Sequence, residues 1–520
     1  MMAVLIGYGL HVLLWTVFSP YLLSEASASS TRCFQSRPDI CAPALNVTHY
    51  EDGHVTPGYI FIAPYSMSDF NDGPYIYSHS GDLVWAGAEG RELVHNLHPC
   101  RIAGNEKLCM LSMRHGTGVL ATGPIVALDR GLYTPEGERD FIEILGGKEP
   151  DVHELNVVNN GTAVLTTWLK TWPRDLSSVG GPKNGYLRSA GFQEVDIETQ
   201  TVSFKWDAAE HVQIEDSFME LGIGRWGDGI SPETDWDFFH LNSVDKSKEG
   251  DYIISARHMN AIYMISGQNG TVLWTLGGKK SDFTFESGLN FSAQHHVRLQ
   301  EKRSDSLTIS LLDNGSDGHH QTAFSSSGLV LHLDMQAMHV SLLQRYTTPS
   351  GILTTQEGSV QLLGNGNVFI YWGGTPFLSE HTSDNSHVVF EAHLADPTGF
   401  WYRACKANFT TAPTTTPDVV GVSVSISGPT TWYVSWNGAT EVRGWRVYAS
   451  QEEVGEYEFI GFFAKSGFET KIEHDGFFAR AIVEAVDDNG LSICNSSASI
   501  STVHQSPDGG SAQSVLRGLN

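Results

Sequence analysis

The chain has 520 residues, 41% of them hydrophobic, and carries 59 Asp and Glu against 32 Lys and Arg, a formal net charge of -27. That length exceeds what one small core can organise, so two domains, or one large repeat-built domain with an appendage, are expected. The acidic balance excludes nucleic acid and anionic membrane surfaces as partners, since both require a basic face.

The first residues, "MMAVLIGYGLHVLLWTVFSPYLLSEASASS", form an apolar run ending in small residues, which predicts a signal peptide over residues 1–28 and a secreted protein. No Lys or Arg precedes the run, so an uncleaved signal anchor is the alternative and the only membrane contact expected. Export fits the N-glycosylation acceptors at Asn46, Asn160, Asn269, Asn290, Asn314, Asn408 and Asn495. It also fits the even cysteine count. The spacing suggests local disulfides 33–41 and 100–109, with Cys405 and Cys494 bracketing the C-terminal region. None has CxxC spacing, which speaks against a thiolate metal or redox centre.

After the leader, short β-branched and aromatic runs alternate with Gly, Asn and Asp, so the chain is predicted to be all-β. One pattern recurs in "YIYSHSGDLVWAG", "EVDIETQTVSFKW", "MISGQNGTVLWTLGG" and "HLDMQAMHVSLLQRY": a strand, a polar turn, and a second strand usually closing on Trp. Such spacing suggests propeller blades with long loops. Residues 29–410 leave room for a six-bladed β-propeller with blades of roughly 60 residues. Two stacked sandwiches are the alternative. At "ANFTTAPTTTPDVVG" the composition turns to linker chemistry. Beyond it, alternating strands over 417–503 predict an immunoglobulin- or fibronectin-like β-sandwich, and 504–520 a loose tail.

The middle of the chain holds histidines in polar segments: "DVHELNVVNNG" (His153), "FFHLNSVD" (His240), "SARHMN" (Arg257, His258), "SAQHHVRL" (His295, His296), "DNGSDGHHQT" (His319, His320) and "FLSEHTSDN" (His381). At about one segment per blade, they predict a ring of imidazoles around one axial pocket. Adjacent pairs point to opposite strand faces, so at most one of each pair enters. A lone histidine is more often a satisfied structural group. A ring admits metal binding, anion binding or nucleophilic catalysis.

The run "WDFFHLNSVDKSKEGDYIISARHMNAIYMI", with "GTVLWTLGG", "AQHH", "LLDNG" and "GNGNVFIYWGG", resembles the arylsulfotransferase family, specifically its fungal-type branch, over roughly residues 55–405. The resemblance implies nucleotide-independent transfer of a sulfuryl group from an aryl sulfate donor to a phenolic acceptor through a sulfated histidine, with no cofactor and no metal. Carried over by position, it implies His381 as nucleophile and His240 and His295 as supporting histidines, best as cations. Glu380 or a backbone carbonyl would fix the His381 tautomer. The family's arginine would follow "DNG"; here "DNGSDGHH" stands instead, so His319 or His320 replaces it, or Arg257 reaches in. Two other readings stay open: a non-catalytic secreted propeller binding a small ligand or glycan, and a metal- or quinone-dependent propeller oxidoreductase.

Overall fold

The computed structural model describes residues 30–65, 72–87, 93–113, 125–129, 140–142, 149–159, 161–348 and 350–503. The expected signal peptide and C-terminal tail lie outside them. The described chain is nearly all-β. Its larger sheets take up consecutive stretches of sequence, named here sheets I to VI. Sheet I holds Tyr59–Ile62, Tyr75–Tyr77 and Leu83–Ala86, and its inner edge is completed by Cys405–Ala407 from far down the chain. Sheet II begins with Leu93–Ile102, sheet III with Glu149–Val158, sheet IV with Leu241–Lys246, sheet V with His295–Lys302 and sheet VI with Ser359–Leu362. Leu45–Tyr50 adds to the outer edge of sheet VI. The recurrent Trp-ended hairpins of the sequence are the third and fourth strands of sheets I, III, IV and V.

The first strand of each sheet lies against the first strand of the next, and Cys405–Ala407 touches both its neighbours, so the inner strands close a ring. The arrangement is propeller-like. Each junction between successive sheets buries its own apolar cluster, as Phe192, Trp206, Phe239 and Tyr252 do between III and IV and Leu276, Val297, Leu311 and Leu331 between IV and V. A twisted four-stranded sheet cannot bury both faces alone, and a ring of sheets covers them pairwise.

Polar bonds complement these clusters at the ring's inner edge. Glu154 of sheet III is fully buried and receives Arg403 Nη1 at 2.6 Å, Arg298 Nη2 of sheet V at 2.9 Å and the Val244 amide of sheet IV at 3.0 Å. Burial alone would raise its pKa, but the two guanidinium groups hold it below the usual carboxylate range.

Two further sheets, one with Asp418–Ser423, Thr430–Ser435 and Glu469–His474 and one with Gly444–Ser450, Glu458–Ala464 and Arg480–Val486, enclose a separate core around Trp432, Trp436 and Trp445. This C-terminal unit docks on the ring. Asn437 bonds both the amide and the carbonyl of Ala86, at 3.0 and 2.9 Å, capping the open edge of sheet I. Disulfides join Cys33 to Cys41 and Cys100 to Cys109, which is compatible with an extracellular protein. Cys405 and Cys494 are free thiols, and burial pushes Cys405 up to about 12. Of the glycosylation acceptors, Asn314 is a correction: it is fully buried and its side chain is bonded on both sides, so the folded chain cannot present it.

Glu154→Ala is expected to lower unfolding stability by about 3–5 kcal/mol, because it strands two buried guanidinium groups without a counter-charge. Chemical denaturation of the variant measures it, and a loss below about 1 kcal/mol would contradict the role given to Glu154.

Candidate active site

Where the inner strands begin, the sheets place one polar or aromatic side chain each toward a common space: His95 from sheet II, His153 from III, His240 from IV, His295 from V, Glu357 from just before VI, and Tyr402 from just before the strand that closes I. Regular pairing fails at these points. The register shifts between His95 and His98, Pro150 and Leu155, Leu241 and Ser243, and His295 and Arg298. His240 and Glu357 take positive φ, 52° and 62°. Such irregularities re-aim side chains that a regular strand would send into the sheet-to-sheet cores. The rings meet in one space: His153 lies 4.7 Å centroid to centroid from His240 and 5.4 Å from Tyr402, while Tyr402 is 5.7 Å from His95 and 6.5 Å from His295.

His240 is the most fully oriented of them. Trp236–Asp237 pairs in parallel with the third strand of sheet III, which fixes Asp237 three residues ahead of the histidine. Asp237 Oδ2 stands 2.6 Å from His240 Nδ1, and Asp237 Oδ1 accepts the His240 amide at 3.2 Å. Nδ1 therefore carries the proton and Nε2 the lone pair. Among the described residues Nε2 has no hydrogen-bond partner. His153 is held alike, Nδ1 at 2.5 Å from Asp151 Oδ2.

The cation of the site is Arg257. It is 3% exposed, its Nη2 donates to the Thr355 and Asp317 carbonyls at 2.7 and 3.2 Å, and its Nη1 donates to His258 Nε2 at 2.8 Å. His258 Nδ1 donates to the Asp237 carbonyl at 2.6 Å, so His258 is a neutral strut that aims the guanidinium. Burial lowers Arg257 to about 10, and it stays charged. Trp226 stands edge-on to His240 and His258, 5.0 and 4.6 Å away, with the exposed Arg225 guanidinium 4.5 Å above its ring.

Of the residues expected from sequence, the structure brings His240, His295 and Arg257 together. His295 has both ring nitrogens engaged, Nδ1 with Asn314 Oδ1 at 2.7 Å and Nε2 with the Glu357 amide at 3.2 Å. It braces the neighbouring loop. The expectation of cationic supporting histidines is corrected: burial first, then neighbouring positive charge, holds His240 and His295 well below the ordinary imidazole value. His319 is exposed at the rim, against Gly224 of the loop that bears Arg225. The "DNGSDGHH" segment supplies Asn314 for His295 and the Asp317 carbonyl for Arg257.

His381 lies elsewhere. It ends the third strand of sheet VI, fully buried, with Nε2 at 2.9 Å from Ser379 Oγ, Nδ1 at 3.2 Å from Asn385 Oδ1 and its ring against Tyr346 and Trp372. The third strand stands two places out from the inner edge. Glu380 does not serve it, because strand alternation turns Glu380 to the other face, where Lys406, Thr56 and Asn367 bind the carboxylate.

Sequence reasoning missed His95, Glu357, Tyr402, Arg225 and the aspartates behind the imidazoles. The last left a signal: Asp151-x-His153 and Asp237-x-x-His240 each put a carboxylate within reach of an Nδ1.

Asp237, His240 and His258 offer donor atoms within 4.8 Å of one another, close enough together to share a metal ion. The Arg257 guanidinium bound to His258 disfavours a divalent ion there. The fold and site define a propeller-like protein in which a carboxylate-oriented imidazole stands beside a buried arginine. The family model described as Arylsulfotransferase (ASST) matches residues 132–394, half of the chain. The chain belongs to the arylsulfotransferase family. At that level it is an aryl sulfotransferase, with small aryl sulfates and phenols as the family's substrates. No curated protein matches. Similar solved structures include a protein of unknown function from Bacteroides caccae, 13% identical over 68% of this chain and 99% of that one (TM-score 0.39). A protein from Lactobacillus plantarum is 12% identical over 81% and 100% (TM-score 0.34). The Cps50 (Swd1) beta-propeller domain from Myceliophteria thermophila is 7% identical over 67% and 99% (TM-score 0.25).

With their pKa values held down by burial, His240, His258 and His295 are expected to remain neutral Nδ1–H tautomers as the pH falls through the ordinary imidazole value of about 6.5. Imidazole nitrogen shifts in histidine-labelled protein report this, and a titration near the free-histidine value would contradict it.

Proposed function

We propose that this chain is a secreted, nucleotide-independent aryl-sulfate sulfotransferase in which His240 Nε2 accepts the sulfuryl group from a phenolic sulfate ester and passes it to a phenolic acceptor. The observation that carries the reading is the open, Asp237-oriented Nε2 of His240 beside the buried charge of Arg257. Sulfuryl transfer spreads negative charge over the equatorial oxygens, and a fixed guanidinium in a water-poor site stabilises that charge most. A neutral imidazole attacks without first losing a proton. Arg257 takes the place of the arginine missing after "DNG", and Arg225 draws anions to the mouth. Trp226 and Tyr402 offer faces for an aryl ring. His153, His295 and His319 support the site as orienter, loop brace and rim residue, and His381 is reassigned to the packing of sheet VI.

The same proposal reads sheets I to VI as six blades of one propeller over 29–410, closed by Cys405–Ala407, and 417–503 as an immunoglobulin- or fibronectin-like module that braces sheet I. Residues 1–28 act as the export signal. The exposed Asn269, Asn290, Asn408 and Asn495 are glycan acceptors. The non-catalytic binding reading draws on the pocket alone, and the oxidoreductase reading on the Asp237, His240 and His258 grouping.

Incubation with a chromogenic aryl sulfate and a phenolic acceptor is expected to give acceptor-stimulated release in the wild type, falling to background in His240→Ala. His381→Ala keeps the transfer in whatever fraction stays folded. Donor alone leaves a sulfuryl-sized mass increment on the peptide containing His240. Transfer surviving His240→Ala and lost in folded His381→Ala would return the role to His381.

A further inference from the structure

Displacement at sulfur runs in line, so with His240 Nε2 attacking from sheet IV the aryl oxygen departs across the axis, toward the arc formed by sheets VI, I and II. That arc carries Glu357, Tyr402 and His95, with Tyr65 packed over them: the Tyr65 ring stacks on His95 at 4.9 Å and its hydroxyl donates to Glu357 Oε1. Among the described residues, Glu357 Oε2 and His95 Nδ1 on this arc are buried without a hydrogen-bond partner. A buried orphan acceptor or donor is costly unless something else completes it. Both orphans belong to residues on the arc toward which the phenolic oxygen would depart.

The transfer needs a proton carrier at this place. A phenolate departs poorly unless protonated, and an acceptor phenol attacks poorly unless its proton is removed. Resting on the sulfuryl-transfer reading, we infer that Glu357, fixed by Tyr65 across the ring from His240, carries the phenolic proton in both half-reactions. In the first, the His240 Nε2–S bond forms, the S–O(aryl) bond breaks with its electron pair on oxygen, and the Glu357 carboxyl gives that oxygen its proton. In the second, the acceptor phenol returns a proton to the Glu357 carboxylate while its oxygen bonds to sulfur and the N–S bond breaks. No proton or electron is left over.

The surroundings of Glu357 fit this task. Its carboxyl is faced by the hydroxyls of Tyr65, Tyr371 and Tyr402, by the main-chain amide of Gly374 and, at longer range, by Arg225, while its own amide is tied to His295 Nε2. Because Tyr65 donates to Oε1, a proton on the carboxyl belongs on Oε2, the atom without a partner. Burial pushes Glu357 up to about 7, against the opposing Tyr65 hydrogen bond, so both protonation states are accessible near neutrality. His95 is a weaker carrier, since burial lowers it to about 3 and it holds no proton to give.

The test compares enzyme sulfation by phenyl sulfate, a poor leaving group, with sulfation by nitrophenyl sulfate, whose phenolate leaves unaided. In Glu357→Gln the loss is expected to be roughly 10²-fold or more larger for phenyl sulfate than for nitrophenyl sulfate. An equal loss with both donors would make Glu357 a structural group and overturn the inference. Should the variant not fold, the wild type decides. Its sulfation by phenyl sulfate should fall as pH rises through about 7, where Glu357 loses its proton, and transfer to the acceptor should fall as pH drops through about 7. A phenyl sulfate profile parallel to the nitrophenyl one would overturn the assignment. A wild type that transfers nothing strikes the sulfuryl-transfer reading instead, and a His240→Ala variant that still transfers strikes the assignment of the nucleophile.

Discussion

One carboxylate, that of Glu154, is the polar centre of the ring. Its neighbours come from sheet III itself, from Arg298 on sheet V, from the Val244 amide on sheet IV and from Arg403 beside the strand that closes sheet I. Arg403 also donates to the Asn242 carbonyl at 2.7 Å, so one hub ties four sheets. A buried ionic triad adds little net stability over a well-packed apolar cluster, because the desolvation of three charges offsets most of their attraction. What it supplies is selection. Apolar junctions tolerate sliding, whereas this hub is satisfied only when four inner strands arrive in one register. It borders a cavity of about 340 Å³ also lined by His98 and His296.

That register is what the site needs, because the site consists of the irregular beginnings of the same inner strands. Glu154 is adjacent to His153, Asn242 lies two residues after His240, and Arg403 follows Tyr402. The rings of His153, His240 and Tyr402 are thus each one or two residues from an atom of the hub. A shift of one residue in any inner strand would turn its ring into a sheet-to-sheet junction and break a bond to the hub together. Structural polarity and chemical polarity are coupled along the backbone.

The outer architecture was legible in the sequence and the inner was not, for physical reasons. Third and fourth strands are joined by polar turns rich in Gly, Asn and Asp and mostly close on Trp, and so they announce themselves. Inner strands are broken where they matter. Nothing in "TTQEGSV" or "GFWYRACK" marks Glu357 or Tyr402, which stand just ahead of their strands, Glu357 with a positive φ. His381 went astray because a position after a recognised strand was counted without knowing which strand of its sheet it began. Alternation did hold for His295 and His296: His295 faces the ring, while His296 Nδ1 bonds the Val360 main chain at 3.1 Å.

Charge in the centre follows from burial rather than from the number of histidines. Withdrawn from water, the imidazoles stay neutral, and the chain places its positive charge on guanidinium groups, which keep their protons at any depth. This division suits the proposed reaction, in which an imidazole must attack as a base beside a group that must remain a cation. It also makes the site depend on ring closure. Tyr402 and Arg403 stand just ahead of Cys405–Ala407, whose pairing with Tyr59–Ile62 joins the two ends of the ring. The segment that closes the fold therefore brings the last wall of the site with it, and a chain with an open ring would lack both the hub's second arginine and the aromatic ring that contacts His153.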